Sequence, residues 1–120
     1  MRTMNLLVVA PGSTARLRVL CAERFADRLR GLLGREALTR RYGLWIRPCN
    51  AVHTFGMRFP IDLVFVDRHG HVLGVDAGLV PGRIRFRRGA HGVLELAAGA
   101  ARRLRLDRAG ACLVLSGELR

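Results

Sequence analysis

Asp62 asks more of its surroundings than any other residue in the chain, because it interrupts the apolar run Ile61-Asp62-Leu63-Val64-Phe65-Val66. Read with a period of two, it shares a strand face with Val64 and Val66. An ionised carboxylate among such neighbours must be paired or must accept backbone N–H groups. Arg58 and His53 stand a few residues upstream, across a bend marked by Gly56 and Pro60, and are the nearest candidate partners. With Thr54, and with Glu95 of the run Val93-Leu94-Glu95-Leu96, they form a candidate polar pocket. Such a pocket could bind a ligand without converting it. Alternatively, Asp62 and His53 could serve as acid and base of a small hydrolase or lyase. The third reading is structural, with Asp62 clamping the turn Gly56-Met57-Arg58-Phe59-Pro60.

A second constellation is basic. Arg83-Ile84-Arg85-Phe86-Arg87-Arg88 alternates, placing Arg83, Arg85 and Arg87 on one face and Ile84 and Phe86 on the other. Joined by Arg88, Arg102, Arg103 and Arg105, that row is a candidate surface for nucleic acid or another polyanion. Phe86, facing away from the row, is expected to anchor the strand to the core. Edge strands also carry charge simply to prevent edge-to-edge pairing. The formal charge of +12 fits either view, since all 21 cationic residues are Arg, as the codon bias of a GC-rich genome also produces.

Other chemistries lack their parts. A phosphate-binding G-x-x-x-x-G-K-[ST] loop is excluded in a chain without Lys. Ser13 and Ser116 lack the G-x-S-x-G setting of an esterase nucleophile. The spacings Cys49–His53 and His69–His71 provide no second matched pair for zinc, so no metal and no cofactor is expected. Three cysteines, Cys21, Cys49 and Cys112, make no disulfide framework and suit a reducing cytosol. The apolar run Leu6–Ala10 is too short for a signal peptide, and no stretch is long enough to span a membrane. The expected location is cytoplasmic.

Positioning these groups falls to short elements. A chain of 120 residues, 50% hydrophobic, is expected to fold as a single domain over residues 1–120. A short apolar run at 5–10 precedes about seven strands, predicted at 15–21, 43–47, 61–67, 72–75, 83–87, 93–96 and 112–115. Phe25, Leu29, Leu32 and Leu33 make one stripe of an amphipathic main helix over about 23–33, and a short second helix is predicted over about 100–105. The expected class is α+β, β-dominated, with mostly antiparallel strands in a barrel-like sheet.

The segments Leu29-Arg30-Gly31-Leu32-Leu33-Gly34-Arg35, Gly43-Leu44-Trp45-Ile46, His53 to Asp62, Val64-Phe65-Val66-Asp67 and Leu94 to Gly99 together resemble the domain of unknown function 192 family. The resemblance covers about residues 14–115. It implies a small, mostly β domain of bacteria and archaea with no established activity, so it assigns no catalytic residue. Many members resemble secreted or lipid-anchored proteins, whereas no leader is read here. Where they carry a Trp-Met-Lys-Asn-Thr type of run, this chain has His53 to Met57, with Phe55 and Gly56 in place of the Lys and Asn. Pro60 and Asp62 match both versions, and Ala111 stands where an acidic residue often follows Gly110. The preferred functional expectation is a non-catalytic binding or accessory module for an unidentified ligand or protein partner, using the region of His53, Arg58 and Asp62.

Overall fold

The computed structural model describes residues 2–22 and 42–115, and the structural statements below concern these residues. Their chain order is β1 (Arg2–Ala10), β2 (Ser13–Ala22), β3 (Tyr42–Ile46), β4 (Ala51–His53), β5 (Ile61–Val66), β6 (Val72–Leu79), β7 (Ile84–Phe86), β8 (Gly92–Ala97), α1 (Ala100–Arg103) and β9 (Cys112–Leu115). The helix predicted over about 23–33 lies outside the described residues. The short second helix is present but stops at Arg103, after which Leu104 to Asp107 continue as turns.

Pro11-Gly12 makes the first hairpin, pairing Ala10 with Ser13 and running in register to Arg2 and Cys21. That partner extends β1 three residues earlier than its own apolar pattern indicates. The main sheet has the order β6-β5-β8-β3-β2-β1-β9, and every pair is antiparallel except β2 with β3. The sheet curls until its edge strands meet at one corner. There His71 bridges Cys112, the Val72 N–H donates to the Ala111 carbonyl (3.0 Å), and the Leu113 N–H donates to the Gly70 carbonyl (2.8 Å). Gly70 has φ of 86°, and a Cβ there would run into the Leu113 carbonyl oxygen, so only glycine lets the corner close.

Cross-strand register shows which side chains share the concave face. Cys21, Trp45, Leu94, Val64 and Val75 lie in one row across β2, β3, β8, β5 and β6. Leu6 sits between Leu17 and Leu115 on neighbouring strands. These residues, with Ala100, Ala101 and Leu106 of the α1 region, form the core inside the curl. A second core forms on the convex face from Leu44, Ile46, Ile61, Leu63, Phe65 and Val93, covered by a two-stranded ribbon of β4 and β7 that contributes Val52. Strand β5 is thus buried on both faces, as its nearly unbroken apolar run predicts. The result is a mostly β, barrel-like fold with, among the described residues, one short helix.

Candidate functional site

Asp62 faces the concave core on the side of Val64 and Val66, as its strand alternation predicts. Between Ile61↔Leu79 and Leu63↔Asp76 the ladder shifts, so Ala77 and Gly78 stand opposite Asp62 alone. This bulge removes the Gly78 N–H from the ladder, and Asp62 Oδ1 accepts it at 2.8 Å. Asp62 Oδ2 accepts the N–H groups of Gly99 and Ala101, each at 3.0 Å. One fully buried carboxylate therefore ties β6 and the start of α1 to the first residues of β5. The backbone it holds is that of β6 and α1, distant in sequence from Gly56–Pro60.

Thr54 is equally committed. Its Oγ1 donates to the Val80 carbonyl (2.9 Å) and accepts the Arg83 N–H (2.9 Å). Its own N–H donates to the Arg83 carbonyl, and its carbonyl accepts the Gly82 N–H. His53 is half-buried, its Nδ1 accepts the Phe55 N–H at 3.2 Å, and its ring stacks on Phe55 with centroids 5.3 Å apart. Arg58 is exposed. Glu95 is buried, but it pairs in register with Leu63 and Leu44, on the convex face. Asp62, opposite Leu96, leaves the sheet on the other side, so these two carboxylates do not face one cavity.

The β7 face is inverted relative to the expectation for Phe86. Ile84 and Phe86 are 63% and 64% exposed. Phe86 pairs with Ala51 and Ile84 with His53, so with Phe55 they make an apolar outer face on the ribbon. Arg85 and Arg87 turn toward the body of the protein. Arg85 Nε lies 3.9 Å from Asp76, and the Arg87 guanidinium packs against the bare backbone of Gly74, 5.6 Å from the centre of the Phe65 ring. Alternation determines which residues share a face; the partners Asp76, Gly74 and Phe65 determine which face is inward. Arg83 and Arg88, together with Arg102, Arg103 and Arg105 beyond β8, are exposed and do not join the inward pair in one row.

A different place gathers chemistry that no local motif announced. At the end of the curl opposite Asp62, a recess of about 280 Å³ opens where β3, β5 and β9 end and β8 begins. Leu6, Leu113 and Leu115 supply its apolar wall, together with the Trp45 indole. Gly92 allows the indole to lie against β8, since a Cβ there would stand 2.5 Å from the ring. Arg47, Asp67, Arg68, His69 and His91 surround the apolar part. Two buried side-chain donors lack an acceptor among the described residues: Arg87 Nε, beside the Phe65 ring, and Trp45 Nε1. Trp45 is 4% exposed, so water does not replace the missing partner freely.

The rim is built by Asp67. Its Oδ1 accepts the N–H groups of His69 (2.8 Å) and His71 (3.0 Å), and Oδ2 lies 3.5 Å from His71 Nδ1. Desolvation pushes the Asp67 carboxyl upward, but those N–H groups and the nearby imidazoles prevail and hold it below the ordinary value of 3.8. The His91 N–H donates to the Val66 carbonyl, fixing the opposite wall. Among the described residues, no three His, Cys, Asp or Glu side chains converge as metal ligands, and no helix is long and apolar enough to cross a membrane.

A family model described as Uncharacterized ACR, domain of unknown function 192, matches residues 7–113. The fold is similar to that of a Sinorhizobium meliloti 1021 protein described provisionally as a transcription regulator, with a TM-score of 0.84 at 24% identity over 97% of this chain and 95% of that one. A protein of unknown function from Novosphingobium aromaticivorans DSM 12444 gives a TM-score of 0.81 at 23% identity, covering 93% of this chain and 84% of its own. At these identities the likeness establishes the fold alone. No curated protein sequence matches the chain.

Proposed function

The chain belongs to the domain of unknown function 192 family, which carries no assigned activity, and from the geometry of this member we propose a non-catalytic module that binds a small molecule in the recess beside Trp45. The observation that carries this reading is a recess of about 280 Å³ that brings the Trp45 indole and Leu6, Leu113 and Leu115 together with the charged groups Arg47, Asp67 and Arg68. Binding sites of this kind pair apolar lining with a few directed polar groups. The lack of turnover is inferred from the committed state of the acid–base candidates. Both Asp62 oxygens hold backbone N–H groups, and the His53 Nδ1 already accepts one.

The chain's single Trp makes the test direct. Small-molecule fragments are screened by Trp45 fluorescence, and those that change it are recovered and weighed by mass spectrometry. Saturable binders returned unchanged support the reading. Chemical conversion of a binder overturns its non-catalytic part, and a screen with no saturable binder overturns the site itself.

A further inference from the structure

We infer that the outer face of the β4–β7 ribbon docks on an anionic lipid bilayer, its apolar side chains entering the headgroup layer. Five large hydrophobic side chains are exposed among the described residues, and four of them gather here. Ile84 and Phe86 lie on β7, Phe55 follows β4, and Val80 stands alongside, its carbonyl accepting the Thr54 hydroxyl. Phe86 pairs with Ala51 and Ile84 with His53, whose ring stacks on Phe55, so the apolar surface runs along the ribbon. Single exposed hydrophobics need no explanation, whereas a contiguous group marks a contact surface. The inward positions of β7 are taken by Arg85, against Asp76, and by Arg87, over Gly74 and near the Phe65 ring. That facing forgoes the burial that Ile84 and Phe86 would gain if reversed. Contact with an apolar phase restores it.

The charge around the face selects the occupant. Arg83 and Arg88 are exposed on either side of β7, and Arg58 is exposed beyond Phe55. Asp76, by contrast, lies on the inner side of the ribbon against Arg85. A second copy of the chain would bring the same arginines together, on a protein of formal charge +12. A single-stranded nucleic acid supplies negative charge but needs flat rings on which to stack its bases. The centre of this face is Ile84, which offers none. Lipid answers both halves at once. Hydrocarbon receives aliphatic and aromatic groups alike, and anionic headgroups meet the arginine forks at the rim.

The full chain is sedimented with neutral phosphatidylcholine vesicles and with vesicles containing a third phosphatidylglycerol, at constant ionic strength. Saturable binding to the anionic vesicles alone is expected. Ile84→Ser and Phe86→Ser, both at exposed positions, should each weaken it at least about tenfold, the scale of one apolar side chain withdrawn from hydrocarbon. Arg88→Gln should weaken it about fivefold, the scale of one basic residue at an anionic surface. Arg102→Gln, on α1 at the concave side of the sheet, should stay within about twofold, since its charge is screened from the docked face. Equal losses for Arg88→Gln and Arg102→Gln, with none for Phe86→Ser, would show attraction by overall charge and overturn the inference. Absence of binding to the anionic vesicles overturns it as well. Binding of a single-stranded oligonucleotide or of polyglutamate that is lost in Phe86→Ser assigns the face to that polymer and overturns the lipid reading. A dimer that Phe86→Ser dissociates assigns the face to a second copy, with the same consequence.

Discussion

Asp62 and Asp67 stand at opposite ends of the same strand, and each carboxylate holds a stretch of backbone at its own end. Asp62 receives N–H groups from Gly78, Gly99 and Ala101, while Asp67 receives those of His69 and His71. One end of the curl is thereby fastened to α1, and the other is given a shaped rim. The strand between them, β5, is buried on both faces.

Removing the Asp62 clamp leaves three N–H groups without their acceptor in a buried place. Asp62→Ala is expected to destabilise the fold by about 3 kcal/mol or more, given roughly 1–3 kcal/mol for each buried group left unsatisfied. Urea denaturation measures it. A loss below about 1 kcal/mol would mean that water or a rearranged turn satisfies those donors.

Asp67 makes stability depend on acidity. Its folded-state pKa is depressed, so its contribution is fully present above the unfolded value near 3.8 and is lost as pH falls through the lower folded value. The wild type is therefore expected to exceed Asp67→Asn in melting temperature at pH 5 to 7. That gap should narrow as the pH is lowered below about 3.8. A gap that stays constant down to pH 2.5 would show that the carboxylate charge plays no part.

Gly70→Ala tests the corner where the sheet closes. The added methyl meets the Leu113 carbonyl at a positive φ, so the expected loss is about 2 kcal/mol or more. Hydrogen exchange should locate the damage at the Val72 and Leu113 amides, which make the closing bonds. Unchanged protection there would show that the corner is held by something else.

The two phenylalanines nearest the arginine strand should behave oppositely. Phe65 is fully buried, and Phe65→Ala is expected to cost about 3–5 kcal/mol. Phe86 is 64% exposed, and Phe86→Ser should change stability by no more than about 0.5 kcal/mol. Thermal melts of both variants decide whether Phe86 anchors the strand or lies outside it.

Much of the frame was legible from local pattern. The buried strand β5, the Pro11-Gly12 hairpin and the side of the sheet taken by Asp62 all follow from alternation and turn chemistry. Two features were not. The direction of β7 depends on Asp76, Gly74 and Phe65, which lie on other strands, and an alternating pentapeptide reads identically from either face. The recess joins Leu6, Trp45, Asp67, His91 and Leu113, so no window of sequence contains it. Its apolar members are buried and look in the sequence like ordinary core residues.

The Asp62 clamp also closes one end of the curl. With Ala100, Ala101 and Leu106 packed into the core there, the described residues form a cup whose floor is fastened by the Ala101 N–H on Asp62. If the proposed site holds a guest, substitutions in the Asp67–His71 turn on the other side are expected to alter its dissociation rate.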